Sequence, residues 1–284
     1  MRRVRTLPWS DKSIVLVTLL VVSALAPAWL DPATFAAPRT PAPGPVSPAA
    51  RTPDTHPQGS PIVVGPSVVI ASDTFSRAVD DGWGAAEVGG EYSTSVGVER
   101  FGVETGNGLV TLPIAGATGS VVLPTVSARD VDIKFGVRVD ELPQGEGSLF
   151  VYALLRSTVA GLAYRPRIRI DAGGAVFAHV GLLLAGGSQS LGREVLAPDV
   201  RVTPGKLIWL RAQATGSDPT LVRVRTWEDG QEEPSYWHFA VIDWTGSLQG
   251  SGSVGLSALA GLRTVGSPYE FAFSGLLAAT TDQP

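Results

Sequence analysis

The sequence contains no cysteine, which excludes disulfide staples, thiolate metal sites and cysteine nucleophiles. Histidine is scarce: His56, His179 and His238 stand alone, none with a second ligand at metal spacing. Charge is also thin, at 17% of residues, and it is unevenly placed. Residues 1–67 carry six Arg or Lys against three Asp or Glu, which leaves 16 against 23, a net −7, for residues 68–284. A domain of that sign is a poor partner for nucleic acid. No stretch beyond the first thirty residues shows a helical apolar stripe. Gly 33 and Pro 22 are plentiful, as are threonine, valine and serine, a composition that suits short strands joined by turns. With 44% hydrophobic residues in 284, the chain can fill a sizeable core.

The first thirty residues combine a basic leader, MRRVRTLPWSDK, with an apolar run from Ser13 to Leu30, the layout of an export signal. A small-x-small site lies at Ala26-Pro27-Ala28, yet the run is also near the roughly 17–25 residues that span a bilayer. A cleaved signal peptide and a retained anchor both fit residues 1–30, and only as an anchor would the chain meet a membrane. The Arg2-Arg3 pair lacks the polar residue that a twin-arginine signal carries before it. Residues 31–67 turn to proline, alanine and threonine with no apolar period, the composition of an extended tether. The expected location is extracellular or at the cell surface.

Residues 68–284 read as one all-β domain, because apolar residues alternate at period two and turn signals recur at short intervals. Val131, Ile133, Phe135, Val137 and Val139 define one half-buried strand. Phe150 to Arg156 with Tyr164 to Asp171, and Leu207 to Gln213 with Leu221 to Trp227, read as hairpins, the second closed by TGSDPT. Asn107-Gly108 reads as a two-residue turn. The stretch TWEDGQEEPSYWHFAVID (226–243) reads as strand, acidic turn and strand, with Asp229-Gly230 at the bend, Pro234 ending the loop and Trp227 facing Trp237 across it.

Three segments, DTFSRAVDDGWGAAEVGG (73–90), WLRAQATGSDPTLVRVRTWEDGQEEPSYW (209–237) and GSVGLSAL (252–259), resemble the bacterial laminin-G-like modules with a concanavalin-type jelly roll. The resemblance runs from about Asp73 to Phe273. It implies a two-sheet antiparallel sandwich of the kind found on secreted and cell-wall proteins, often appended to enzymes and mostly without a known activity of its own. Related sandwiches often bind calcium between an N-terminal Asp and an Asp on the last strand. Here the last strand, PYEFAFSGLLAA, carries Ser274 and no Asp, so calcium at Asp73 loses a ligand.

Catalysis needs groups at fixed separations. Laminarinase-like glucanases on this fold present Glu-x-Asp-x-x-Glu on one strand, and no such triplet occurs here. Asp130, Asp132, Asp140 and Glu141 come nearest and read as solvated acids. No Gly-x-Ser-x-Gly elbow is present. The match of GSGSVG (250–255) to a dinucleotide loop fails, because the following residues read as a strand. No catalytic residue, metal set or cofactor is therefore assigned.

One constellation remains. Trp209 and Arg211 share one face of LIWLRAQA with Gln213, and Arg223, Arg225 and Trp227 share one face of LVRVRTW. In the simplest register Trp209 faces Arg225 and Arg211 faces Arg223, with Arg167 and Arg169 extending the patch. Indoles stack on sugar rings, and guanidinium forks bind hydroxyl and carboxylate oxygens. The same residues also serve as a solvated face with a self-contained cation–π contact. The expected function is a non-catalytic exported binding or surface-interaction module for polysaccharide or cell-envelope glycan. The alternatives are a polysaccharide hydrolase or lyase on the same fold, or a purely structural envelope domain.

Overall fold

A computed structural model describes residues 67–266 and 268–281; the export segment and all but the end of the tether lie outside the described residues. The chain enters through β1 (Val69–Asp73), β2 (Ala85–Ala86), β3 (Gly90–Glu91), β4 (Ser93–Thr94), β5 (Phe101–Glu104) and β6 (Asn107–Leu112). Six strands follow: β7 (Thr118–Ala128), β8 (Val131–Val139), β9 (Ser148–Ser157), β10 (Ala163–Asp171), β11 (Ala175–Leu184) and β12 (Gly187–Ser190). The last six are β13 (Val195–Arg201), β14 (Ile208–Thr215), β15 (Thr220–Glu228), β16 (Phe239–Asp243), β17 (Gly252–Ala260) and β18 (Tyr269–Thr280). The described helices are two single 3₁₀ turns, Val98–Arg100 and Gly246–Leu248.

Two eight-stranded sheets make the sandwich, and every strand pair is antiparallel. The first runs β16-β15-β14-β8-β18-β6-β5, with β1 also on β18; the second runs β12-β11-β10-β9-β17-β7-β4, with β13 also on β11. This is the expected all-β jelly-roll sandwich. Its core follows from the alternation. Val131, Ile133, Phe135, Val137 and Val139 of β8 are each at most 1% exposed, and they meet Tyr164, Ile168 and Ile170 of β10 and Val254, Leu256 and Ala258 of β17 in one cluster. Each such aliphatic or aromatic side chain adds about 1.5–3 kcal/mol on burial.

Asp73 opens a second, smaller anchor. Its buried carboxylate accepts both terminal nitrogens of Arg77 at 2.8 Å, the Phe75 N–H at 2.8 Å and the Tyr92 hydroxyl at 3.1 Å. A guanidinium therefore stands where a divalent cation would sit, and among the described residues no group of three or more acidic or histidine side chains forms around Asp73. The donor set does not fit calcium. Burial, and after it the Asp73 charge, raises the Tyr92 phenol, so Tyr92 donates to Asp73.

Three local readings need correction. The two-residue turn joining β5 and β6 is Thr105-Gly106, not Asn107-Gly108: both have positive φ, at 52° and 78°, and Glu104 pairs with Asn107. Asn107 instead locks that turn by donating Nδ2 to the Thr105 carbonyl at 2.9 Å. Gly108 is needed for packing, since a Cβ there would lie 2.7 Å from the Trp83 ring. Second, β16 begins only at Phe239, so Tyr236, Trp237 and His238 belong to a long loop. Third, Asp132 is not solvated: it is 9% exposed and held by Arg211 and Gln213.

Candidate functional site

The seven residues expected to form one patch are divided between opposite outer faces. Trp209 and Arg211 lie on β14 and Arg223, Arg225 and Trp227 on β15, both in the first sheet; Arg167 and Arg169 lie on β10 in the second. The two arginines of β10 therefore do not extend the patch. Alternation tells a core face from an outer face, but a sandwich has two outer faces, and strand order alone chooses between them.

The register within the first sheet also differs from the simplest one. Trp209 pairs with Trp227, Arg211 with Arg225 and Gln213 with Arg223, a shift of two residues. The loop accounts for it: Gly216 and Asp218 both adopt positive φ, and Thr215 pairs with Leu221, so five residues (216–220) turn the chain with Thr220 already in strand. Trp227 consequently stacks on Trp209, with ring centroids 6.4 Å apart and planes 19° from parallel, rather than on Trp237. Trp209 lies flat because its bed is glycine: it pairs with Gly136, and Gly275, at φ 58°, would place a Cβ 3.1 Å from its ring.

The acids of the loop 229–238 turn back onto this face. Glu233 pairs with Arg211 at 2.8 Å and with Arg225. Asp132 takes Arg211 from the other side at 2.8 Å. Asp229 accepts the Trp209 Nε1–H at 2.8 Å, and Glu228 accepts the Arg201 N–H at 2.8 Å. Trp237 covers the guanidinium groups of Arg223 and Arg225 at 4.5 and 4.3 Å. The acidic stretch is thus a flap that neutralises and roofs the arginines beneath it. Arg211 and Arg225 hold internal carboxylates, Arg223 donates to Gln213 Oε1 at 2.8 Å, Trp227 is buried, and the half-buried Trp209 has Lys134 Nζ 5.2 Å from its ring centroid.

The second sheet is arranged differently. One row crosses five strands: His179 of β11, Arg167 of β10, Tyr152 of β9, Ser257 of β17 and Ser120 of β7 are successive cross-strand partners. The neighbouring row carries Phe177, Arg169, Phe150 and Leu259. Phe150 and Tyr152 lie side by side at 6.3 Å, 17° from parallel. Arg165 lies 3.8 Å over Tyr152, Arg167 4.9 Å over Phe150 and Arg169 3.9 Å over Phe177. Glu194 is the carboxylate paired to this ladder, 2.6 Å from Arg169 and 3.5 Å from Arg167. Ser120 donates to Ser257 at 2.7 Å. A cleft of about 800 Å³ lined by Ser95, Ser120, Ser157, Thr158 and Ser253 includes the β7 end of the first row, and one of about 540 Å³ lined by Phe150, Leu259 and Leu262 lies beside the second row, both on the β9, β17 and β7 side of the sheet.

Phe150, Tyr152, Arg165 and His179 were absent from the sequence-based patch. A signal for them existed: Arg165 obeys the same alternation as Arg167 and Arg169, and Phe150 and Tyr152 alternate with core residues in the partner strand of that hairpin. His179 accepts Arg167 Nε–H on Nδ1 at 3.3 Å, and its Nε2 lies 2.7 Å from Ser190 Oγ and 3.2 Å from the Gly192 carbonyl. Burial first, then the Arg167 charge, lowers its pKa; burial likewise lowers His238. Both therefore favour the neutral form when folded, while the unfolded chain takes up protons once the pH falls below the ordinary value of 6.5. The stability they support is complete above that pH and is lost on acidification. Urea midpoints are expected to fall between pH 7.5 and 5.5, and to fall less in the His179→Gln, His238→Gln double variant; equal falls in both proteins would refute the assignment.

No family model matches the chain, and no curated protein matches it. Solved structures do. The catalytic domain of an endo-1,3-beta-glucanase (laminarinase) from Thermotoga petrophila RKU-1 superposes with a TM-score of 0.51 at 9% identity, covering 77% of this chain and 99% of that one. SCLam, a non-specific endo-beta-1,3(4)-glucanase from family GH16, gives 0.48 at 10% identity over 78% and 95%. The carbohydrate binding module CBM66 from Bacillus subtilis gives 0.45 at 13% identity over 66% and 95%. At such identities the likeness is one of architecture: this chain has the fold of the concanavalin-like jelly rolls.

Proposed function

We propose that the chain is an exported, non-catalytic carbohydrate-binding module: residues 1–30 direct export, residues 31–67 act as a spacer, and the sandwich holds polysaccharide along the outer face of its second sheet. The observation that carries this reading is the Arg167–Tyr152–Ser257–Ser120 row, a strip of guanidinium, ring and hydroxyl groups that runs into a cleft at Ser120, with a second cleft beside its neighbour Phe150. Sugars present both an apolar ring face and a rim of hydroxyls, and this strip offers a partner for each. The first sheet supports the role less well, because Arg211 and Arg225 already hold Glu233. A non-catalytic role is favoured because the carboxylates near the face are already engaged, Glu194 by Arg169 and Arg167 and Glu146 by Arg263. Glycoside hydrolysis uses two; among β7, β9, β10, β11 and β17 the acidic residue is Asp171, whose Oδ1 accepts the Gly173 and Ala175 N–H groups that close a turn.

The test is a glycan array probed with the full chain in a sugar-free non-ionic detergent, alongside Tyr152→Ala and Trp209→Ala. Binding by the parent and by Trp209→Ala, with a loss of about tenfold or more in Tyr152→Ala, is expected, since Tyr152 supplies the hydroxyl of the row and the ring on which Arg165 rests, and tenfold corresponds to about 1.4 kcal/mol. No binding by the parent, or new reducing ends released from a bound polymer, would overturn the proposal. Loss confined to Trp209→Ala would move the site to the first sheet.

A further inference from the structure

The ladder of β10 has an imbalance that folding alone does not explain. Three arginines, Arg165, Arg167 and Arg169, face one paired carboxylate, Glu194, within a domain whose net charge is −7. Arg165 is the exposed question among them. Among the described residues it has no ion pair; its one side-chain hydrogen bond runs from Nη1 to Ser188 Oγ at 3.1 Å, its Nε is buried with no acceptor, and Nη2 is unengaged. Arg167 also has a buried terminal nitrogen, Nη1, with no acceptor. Burial lowers the pKa of both guanidinium groups, so the charged forms that they retain are held at a cost. The ring faces of Tyr152 and Phe150 meet part of that cost from below. Among the described residues no carboxylate pairs with Arg165, whereas Arg167 has Glu194 at 3.5 Å.

Tyr152 completes the arrangement. Its hydroxyl has no hydrogen-bond partner among the described residues, and burial raises its pKa against the pull of Arg165 and Arg167, so it stands as a free O–H donor. The opposite face makes the contrast: there Arg211, also between strands and also beside an aromatic pair, receives Asp132 and Glu233 from the chain itself. On the face of β10 the one paired carboxylate, Glu194, serves Arg169 and Arg167, and Arg165 is left without one among the described residues.

We infer that the second sheet binds an acidic polysaccharide, and that the carboxylate of a uronic acid residue seats against Arg165, Arg167 and Tyr152 while neighbouring sugars enter the two clefts. This rests on the carbohydrate-binding reading given above and narrows it to a ligand class. Arg165 offers the one open nitrogen of its guanidinium fork, Nη2, and a carboxylate that reaches it and the Tyr152 hydroxyl meets a charged and a neutral donor together.

The experiment compares four polymers on the full chain by titration calorimetry: polygalacturonate, its methyl ester, dextran sulfate and a neutral β-glucan. Polygalacturonate is expected to bind with an affinity that falls as salt rises, and esterification, which removes charge while keeping the sugar, is expected to weaken it about tenfold or more. Arg165→Gln should cause a comparable loss with an unchanged unfolding midpoint, and Arg165→Lys, which keeps charge but not the fork, should fall between. Equal binding of acid and ester, or dextran sulfate binding as tightly as polygalacturonate, would overturn the inference. Binding of the β-glucan and the ester alone would overturn it and leave the broader reading intact, whereas no binding to any polymer would remove both.

Discussion

Replacing Arg156 by alanine is expected to destabilise the domain by about 3–5 kcal/mol, the range seen when a buried charged network loses one member. Arg156 is 1% exposed and sits at the end of β9 in the second sheet, yet its guanidinium serves turns that belong to both sheets. Nε donates to the Arg129 carbonyl at 2.6 Å, Nη2 to the Gly216 carbonyl at 2.6 Å, and Nη1 to Thr220 Oγ1 at 2.7 Å and the Leu248 carbonyl at 3.1 Å. Asp130 lies 3.8 Å away. Truncation would leave the Arg129 and Leu248 carbonyls without this donor and the Gly216 carbonyl with only the Thr220 hydroxyl, each unsatisfied group costing about 1–3 kcal/mol, together with a cavity. The backbone is committed as well: Arg156 has φ 51°, and Gly252 passes so close that a Cβ there would lie 2.4 Å from the Arg156 carbonyl carbon. Arg156→Lys keeps the charge but concentrates its donors on one nitrogen, so it should recover only part of the loss. Urea unfolding with an unchanged m-value is the measurement, and a loss below about 1 kcal/mol would show that solvent replaces the network.

Trp83→Ala should cost a similar amount, about 3–5 kcal/mol, for a different reason. Trp83 is 1% exposed and lies in the segment between β1 and β2, where it is the hub of an aromatic cluster. Phe75 and Tyr92 stand edge-on at 5.2 Å, with Phe273 at 5.7 Å and Phe101 at 6.5 Å. Its Nε1–H donates to the Leu109 carbonyl at 2.9 Å, so the ring ties an irregular segment to β6. Alanine leaves a void that β6 cannot close, because the pairing of β6 with both β5 and β18 holds it in place. Trp83→Phe should lose about 1–2 kcal/mol, mainly the hydrogen bond and the smaller ring. In thermal unfolding the alanine variant should melt roughly 10 °C below the parent, at about 2–4 °C per kcal/mol for a domain of this size. A shift under about 4 °C would mean that the cluster repacks.

Much of the architecture is legible along the chain because a strand exposes its period directly. The alternation in VDIKFGVRV marks β8, and RPRIRID marks β10 with its core residues Ile168 and Ile170 in the right phase. The β9–β10 and β14–β15 hairpins were likewise readable from flanking turn residues. Exact pairing was not. A two-residue slip between β14 and β15 keeps every apolar side chain inward, so the pattern cannot tell Trp209 against Arg225 from Trp209 against Trp227; the conformation of the loop decides it. Asp229, Glu232 and Glu233 lie in the loop as read, whereas Glu228 ends β15; the partners of Asp229 and Glu233, namely Trp209, Arg211 and Arg225, are brought to them only when the flap folds back.

By itself, the sequence determined that residues beyond the tether form paired strands with aliphatic groups inside and the arginines of β10, β14 and β15 outside, because side-chain period and turn chemistry are local properties; the burial of Trp83, Trp227 and Arg156 is tertiary. Only the tertiary structure decided which outer face each arginine reaches and whether a carboxylate of the same chain awaits it there. Those outcomes depend on strand order and loop return, which join residues such as Arg211 and Asp132, or Tyr152 and Arg165, that are far apart or differently phased along the chain.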